Sequence, residues 1–467
     1  MKGLKSVLAC ALAGAMTLTI CAGCSTPSYS GFSFPKQGES ELSKIRIEGW
    51  YIERTSAELK AETEKTSKTF SSDDGICVIE KKQDYYDVTL DLEKGSGEKA
   101  GRAYAQAIQK ACPEYKKVLE GYLFENINAA FGTEADPDKI LTERINTLKA
   151  ALEKEYREEL EGFGKEMGQD KHGVKDDGVF SCEEAMLVSM VPDALRATSC
   201  SVMTVNGNKT STGHRIAARM LEWDLGTEKQ LCKYQSVTHF KNGKSSFTSI
   251  AALGMLDILT AINSSGVVVG ELDVGSYYGE PFVSEGKTCY SFDLRYVMEN
   301  CTTAKKGAEF IASRGPAYTY NMNAFVADDK DALCVEVPLS QPNGSIVIRD
   351  SGTPLNDGLS WDDPDCMCIV NSFAAKGNAD LLTNRNVNYA RWEKYNNLFC
   401  SEKEKISMER FKALMTSEKI KDSPVYNFRS ENFMHMAVFD FESRDVQVLY
   451  GGKENPDEIK FIDLGKL

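Results

Sequence analysis

The stretch Thr198-Ser199-Cys200-Ser201-Val202-Met203, followed by Arg219-Met220-Leu221-Glu222-Trp223, decides how the rest of the chain is read. Each segment is apolar and rich in strand-forming residues, and Asn206-Gly207-Asn208 lies between them. The spacing predicts a hairpin with strands over Cys200–Val205 and His214–Trp223. That hairpin would carry a thiol, a guanidinium and a carboxylate. A thiolate is a nucleophile, and a neighbouring cation favours it. A lone cysteine opening a strand reads better as a small buried residue, so the surroundings must decide.

Downstream of Cys200 the chain is β-rich. Cys232–Phe240 and Ser245–Ala251 flank Asn242-Gly243, and Gly266–Val274, Tyr320–Ala327, Ala332–Pro338 and Cys366–Asn371 read as strands. Phe433–Phe439 and Val446–Tyr450 form a closing hairpin. Helical periodicity marks Phe292–Asn300, Thr303–Ser313, Val387–Phe399 and Ser407–Thr416. Upstream, Ile45–Arg54, Ile76–Lys81 and Tyr85–Leu92 are strand-like, whereas 97–167 is helical, with Asp136-Pro137-Asp138 as a helix start. Two strand blocks with helices around them predict an α+β fold of two stacked sheets covered by helices.

Composition narrows the chemistry. The 467 residues are 42% apolar, enough for a sizeable core. The net charge of −14 argues against a basic nucleic-acid-binding surface. Only His172, His214, His239 and His435 occur, and no two stand at H-x-x-x-H spacing, which excludes a zinc hydrolase of the H-E-x-x-H type. Lys241-Asn242-Gly243-Lys244-Ser245 lacks the first glycine of a phosphate loop, Asp362–Asp365 lacks the glycine of a calcium loop, and no G-x-S-x-G elbow is present. No metal and no cofactor is expected.

The first residues read as a targeting signal. Lys2 and Lys5 precede the apolar run Val7–Ile20, which is short for a membrane span. Ile20-Cys21-Ala22-Gly23-Cys24-Ser25 resembles a bacterial lipobox, with 1–23 removed and Cys24 lipidated; ordinary secretory cleavage is the alternative, since Cys21 departs from the usual Leu-type residue. Residues 24–43 read as a polar tether. The expected location is outside the cytoplasm, anchored to a bacterial membrane. Fourteen cysteines would suit disulfides there, but their irregular spacing favours buried thiols.

Across roughly 95–467 the motifs resemble the cysteine branch of the N-terminal-nucleophile hydrolases. The likeness is to choloylglycine hydrolases, penicillin V acylases and the acyl-coenzyme A:isopenicillin N acyltransferase family, and more distantly to acid ceramidase. Cys200-Ser201 matches the family's Cys-Thr/Ser start, and Arg219 with Glu222-Trp223 matches its Arg-x-x-Asp/Glu-Trp/Phe return strand. Glu222 replaces the commoner Asp and the hairpin is longer, which keeps Asp224 as a weaker candidate. Asn263-Ser264-Ser265-Gly266-Val267 matches an Asn-x-x-Gly segment; Asp273 stands where bile-salt hydrolases place an oxyanion-hole Asn. Asn371, in Ile369-Val370-Asn371-Ser372, and Arg391, in Tyr389-Ala390-Arg391-Trp392, match the later Asn and helical Arg. Gly101-Arg102-Ala103-Tyr104-Ala105-Gln106 and Glu158-Glu159-Leu160-Glu161-Gly162-Phe163-Gly164 resemble segments of the isopenicillin acyltransferases.

The resemblance implies a four-layer αββα sandwich, with 44–199 a mainly helical pro-segment or small subunit and 200–467 the catalytic domain. It implies self-cleavage between Ser199 and Cys200, the two fragments staying associated. The freed α-amine of Cys200 would serve as base for its own thiol, so histidine is dispensable. Arg219 and Arg391 would favour the thiolate, Glu222 would orient the amine, and Asn371 would donate to the oxyanion. The substrate would be a small linear N-acyl amide. Two alternatives stay open: an acyltransferase using the same thioester, and a catalytically silent surface-tethered binding protein.

Overall fold

In the computed structural model the described residues are 68–131, 136–195, 198–243, 245–274, 283–339, 344–378, 387–417, 432–452 and 459–467. The expected leader, tether, lipidated Cys24 and strand Ile45–Arg54 lie outside them.

Sixteen strands are described. Ten form one sheet: β1 (Lys68–Ser71), β2 (Cys77–Lys81), β3 (Tyr86–Asp91), β6 (Gln235–Lys241), β7 (Phe247–Ala252), β8 (Thr260–Asn263), β9 (Val268–Asp273), β10 (Met322–Ala327), β11 (Ala332–Val337) and β12 (Val347–Arg349), in that spatial order. The other six are β4 (Thr198–Val205), β5 (Ile216–Trp223), β13 (Cys366–Val370), β14 (Phe433–Asp440), β15 (Asp445–Tyr450) and β16 (Ile462–Lys466), ordered β13-β4-β5-β14-β15-β16. Neighbours run antiparallel except β3 and β6, which are parallel. The α+β class expected from the strand and helix blocks holds.

Period-two alternation explains how the six-stranded sheet is covered on both faces. Cys200 and Val202 of β4 and Ala217 and Leu221 of β5 enter the main core, which also takes in the ten-stranded sheet. Met203, Val205, Ile216, Ala218 and Met220 point the other way, into a second core with Trp392, Tyr395, Phe411 and Leu414. Those four belong to α9 (Val387–Tyr395) and α10 (Met408–Met415), numbered after eight helices upstream. The eight are α1 (Gly97–Ala111), α2 (Tyr115–Phe131), α3 (Pro137–Ala150), α4 (Lys154–Gly168), α5 (Cys182–Val188), α6 (Val191–Ala194), α7 (Tyr290–Asn300) and α8 (Ala304–Arg314). Helices α1, α7 and α8 pack on strands of the ten-stranded sheet.

The segment before Cys200 is knitted into this body. Glycines let α1 and α4 touch backbone to backbone: a Cβ on Gly101 would sit 1.9 Å from the Glu159 carbonyl oxygen, and one on Gly162 would sit 2.2 Å from that of Glu98. The parallel β3–β6 pairing joins residues upstream and downstream of Cys200 in one ladder. Buried Arg295 of α7 meets both carboxylate oxygens of Glu159 at 2.7 and 2.9 Å. Tyr115 Oη donates to the Leu253 carbonyl at 2.8 Å. Residues 44–199 were read as mainly helical; within them β1–β3 extend the larger sheet.

Local differences have local causes. Asn206-Gly207-Asn208 closes no tight hairpin. Asp365 takes it over, its backbone oxygen accepting from Asn206 N and its carboxylate from Asn208 N, so a longer loop leads to β5. Strands β8, β12 and β16 and helices α5 and α6 are too short to show a periodic pattern, and the sequence reading lacks them. The eleven described cysteines are unbridged, and nine are buried.

Candidate active site

Strand β13 ends at Val370, opposite Ser201. On that side the ladder therefore stops one residue short of Cys200, whose N–H and C=O need other partners. Two side chains supply them. Asn371 Oδ1 accepts from Cys200 N at 2.6 Å, and Arg391 Nη1 donates to the Cys200 carbonyl at 2.9 Å. Arg391 Nη2 also donates to Asn371 Oδ1 at 2.9 Å. Two donors on that oxygen fix which way the Asn371 amide faces.

The other end of that amide is engaged as well. Asn371 Nδ2 donates to the Asp273 backbone oxygen at 2.6 Å. The group expected as oxyanion donor thus holds β9, and the acceptor end faces Cys200. What matters at Asp273 for this contact is its carbonyl.

Arg219 and Glu222 lie on opposite faces of β5, as a separation of three along a strand requires. Arg219 points between the sheets. It crosses Gly270, where a Cβ would lie 2.8 Å from Arg219 Cγ, and its Nη2 reaches the Glu271 carbonyl at 2.6 Å and Cys200 Sγ at 3.2 Å. Its Nε and Nη1 are buried without a hydrogen-bond partner among the described residues. Glu222 points towards α9 and pairs with Arg391 at 3.1 Å. Arg219 and Glu222 do not pair with each other; each serves a different side of Cys200.

All five main candidates are buried, Cys200, Arg219 and Glu222 fully so. Burial pushes the Cys200 thiol up to about 12 against the pull of Arg219, with Glu271 adding to the rise. Both arginines were expected to favour the thiolate. Burial outweighs Arg219 at the sulfur, and Arg391 contacts the backbone of Cys200.

Of the weaker candidates, Asp273 enters the site through its carbonyl, whereas Asn263 and Asp224 fall elsewhere. Asn263 closes the β8–β9 turn, its Oδ1 accepting from Ser265 N and Val267 N and its Nδ2 donating to the carbonyls of Met298 and Cys301. Asp224 Oδ1 accepts from Gly226 N in the turn after β5. Ser199 pairs with Glu222 in the β4–β5 ladder, so the Ser199–Cys200 bond lies within a strand.

Two neighbours went unnoticed in the sequence. Asn388 accepts from Arg391 Nη2 at 2.7 Å and donates to the Asn371 carbonyl at 3.1 Å. Its place one helical turn before Arg391 was the available signal. His435 of β14 is fully buried, and burial together with the Arg219 charge holds it well below the ordinary imidazole range, hence neutral. Among the described residues no cluster of His, Cys, Asp or Glu has the makings of a metal site.

No protein-family model matches this chain, and no curated protein does. Solved structures similar to it include an N-acylethanolamine-hydrolyzing acid amidase ortholog from Caenorhabditis elegans, at 12% identity and TM-score 0.35, covering 52% of this chain and 92% of that one. A mutant conjugated bile acid hydrolase from Clostridium perfringens is 11% identical, with TM-score 0.36 and coverage of 57% and 92%. A penicillin V acylase from Agrobacterium tumefaciens is 13% identical, with TM-score 0.33 and coverage of 57% and 86%.

The Glu222–Arg391 pair yields a direct stability prediction. In a Cys200→Ala background, Arg391→Met leaves a buried carboxylate without its cation and should cost about 3–5 kcal/mol, whereas Arg391→Met with Glu222→Gln should recover most of that loss. Urea denaturation measures both. A single-variant cost below about 1 kcal/mol, typical of an exposed pair, would contradict the buried arrangement.

Proposed function

We propose that this chain is a self-processing cysteine amidohydrolase of the N-terminal-nucleophile type, which cleaves a linear, non-peptide amide through an acyl-thioester on Cys200. The observation that carries the reading is the grip on the Cys200 backbone. Its nitrogen donates to the side chain of Asn371, which in turn accepts from Arg391, and its sulfur lies against Arg219. A nitrogen that is to become a free amine gains a holder that survives cleavage.

Self-cleavage proceeds by attack of the Cys200 thiol on the Ser199 carbonyl carbon. The C–S bond forms, the C–N bond breaks, and the Cys200 nitrogen takes the thiol proton. Water then hydrolyses the thioester, leaving a carboxylate on Ser199 and both a free amine and a free thiol on Cys200. The reaction creates the base that the buried thiol lacks, an α-amine titrating near about 7.7–8.0. In turnover this amine takes the thiol proton and the sulfur attacks the substrate carbonyl. The amine half of the substrate leaves with that proton, and water, deprotonated by the α-amine, releases the acid. Arg219, with N–H groups to spare beside the sulfur, favours the thiolate and the charge that develops next to it.

The fragments before and after the cleaved bond stay together in this reading. The β3–β6 ladder, the Thr198–Ser199 pairing with β5 and the Arg295–Glu159 pair all cross the cut. The exported precursor should therefore run as two bands on denaturing electrophoresis, the larger beginning at Cys200, and Cys200→Ala should stay full length. A wild-type protein that is uncut yet hydrolyses amides would sink the mechanism.

The same proposal has the enzyme outside the cytoplasm on a lipid anchor at Cys24, a reading supported by the lipobox-like Ile20-Cys21-Ala22-Gly23-Cys24. Feeding cells a clickable fatty acid should label the wild-type protein and leave Cys24→Ser unlabelled. An unlabelled wild-type protein recovered from the medium would point to plain secretion.

A further inference from the structure

Asn371 follows an edge strand, yet the backbone on both sides of it is pinned, and from the opposite sheet. Asn323 of β10 donates Nδ2 to the Val370 carbonyl at 3.1 Å and to the Ser372 carbonyl at 3.0 Å. Those two carbonyls bracket Asn371. Farther along, Glu336 of β11 accepts from Ala374 N at 2.9 Å, Ala375 N at 3.1 Å and Asn378 Nδ2 at 3.0 Å. Arg349 of β12 donates Nε to the same Glu336 carboxylate at 2.9 Å and Nη2 to the Cys368 carbonyl of β13 at 3.3 Å.

These three residues are almost wholly buried, at 0% exposure for Asn323 and Glu336 and 2% for Arg349. They stand on three consecutive strands at one end of the ten-stranded sheet, whereas Asn371 and Cys200 belong to the six-stranded one. Stability alone is a poor account of such a network, because an apolar replacement of a buried ion pair is often neutral or stabilising. Its distinct effect is geometric. Strand β10 also pairs with β9, Met322 opposite Asp273, and Asp273 supplies the carbonyl that takes Asn371 Nδ2. One sheet therefore sets the backbone of Asn371 and the far end of its side chain together.

We propose that Asn323, Glu336 and Arg349 are positioning residues which hold Asn371 Oδ1 against the nitrogen of Cys200, and that both self-cleavage and turnover depend on this cradle. The inference rests on the reading of Cys200 as an N-terminal nucleophile. The contact it protects is short, 2.6 Å from Asn371 Oδ1 to Cys200 N. A displacement of about 1 Å at such a site costs up to about 100-fold in rate. In the cleaved enzyme the same oxygen accepts from the α-ammonium and so favours its protonated form. Loosening Asn371 removes that support and lowers the amine's pKa.

The experiment follows purified precursor with time, reading the fragment that begins at Cys200, and measures Tm alongside. Asn323→Asp puts an acceptor against two carbonyls, and Glu336→Gln removes the anion facing four donors. Each should slow cleavage by about tenfold or more. In whatever enzyme has matured, each should move the acidic limb of the turnover profile to lower pH. The control is Val326→Ala, on β10 but packed against Gly307 of α8, which should lower Tm without slowing cleavage. If either isosteric variant fails to fold, Arg349→Lys decides: it keeps a cation by Glu336 and loses the bond to Cys368, and slowed cleavage supports the cradle. Wild-type rates and an unmoved pH limb in folded variants would overturn it, as would slowing that merely tracks Tm, as in Val326→Ala. A wild-type precursor that never cleaves is a separate result, which overturns the nucleophile reading and the cradle with it.

Discussion

The site depends on where one strand stops. Because β13 gives out at Val370, the backbone of Cys200 has no ladder partner on that side, and buried peptide groups cannot be left bare. Asn371 and Arg391 meet that demand with side chains. In the proposed mechanism the same side chains would hold the peptide nitrogen before cleavage and the amine after it, so an ordinary requirement of β-sheets supplies the holder that the proposal needs.

Charge is divided between the two faces of the six-stranded sheet. Arg219, between the sheets, attends the sulfur; Arg391, on the helical side, attends the backbone and is neutralised by Glu222. The Cys200 thiol is pushed up to about 12 by its own burial. In the proposed mechanism that combination would keep the nucleophile inert until cleavage frees a base on the same residue. No histidine is needed for it, and His435 is buried with its pKa held well below the ordinary imidazole range.

Much of this was legible in the sequence. Cys200, Arg219, Glu222, Asn371 and Arg391 were picked out from motif order, and the fold brings all five together. Their division of labour was not legible, because it depends on which end of an amide faces in and on which face of β5 each charge takes. Period-two counting puts Arg219 and Glu222 on opposite faces, but it cannot show that Arg391 waits on the far side. Asn323, Glu336 and Arg349 left no local mark. Each is a single polar residue in a short strand, and its partner is in the other sheet. Short elements such as β8 and β12 escaped for a related reason, since three or four residues carry no period.

The central claim, that Cys200 carries the acyl group, is tested most directly by trapping it. The processed protein is mixed with an N-acyl amide, quenched in acid within one turnover, and the large fragment weighed intact and after peptide mapping. Added mass equal to the acyl group is expected on the N-terminal peptide that begins at Cys200, mapped with pepsin in acid so that the acyl group does not migrate from sulfur to the α-amine. Substrate hydrolysis with no acyl adduct on Cys200 at any quench time, or an adduct on another residue, would contradict it.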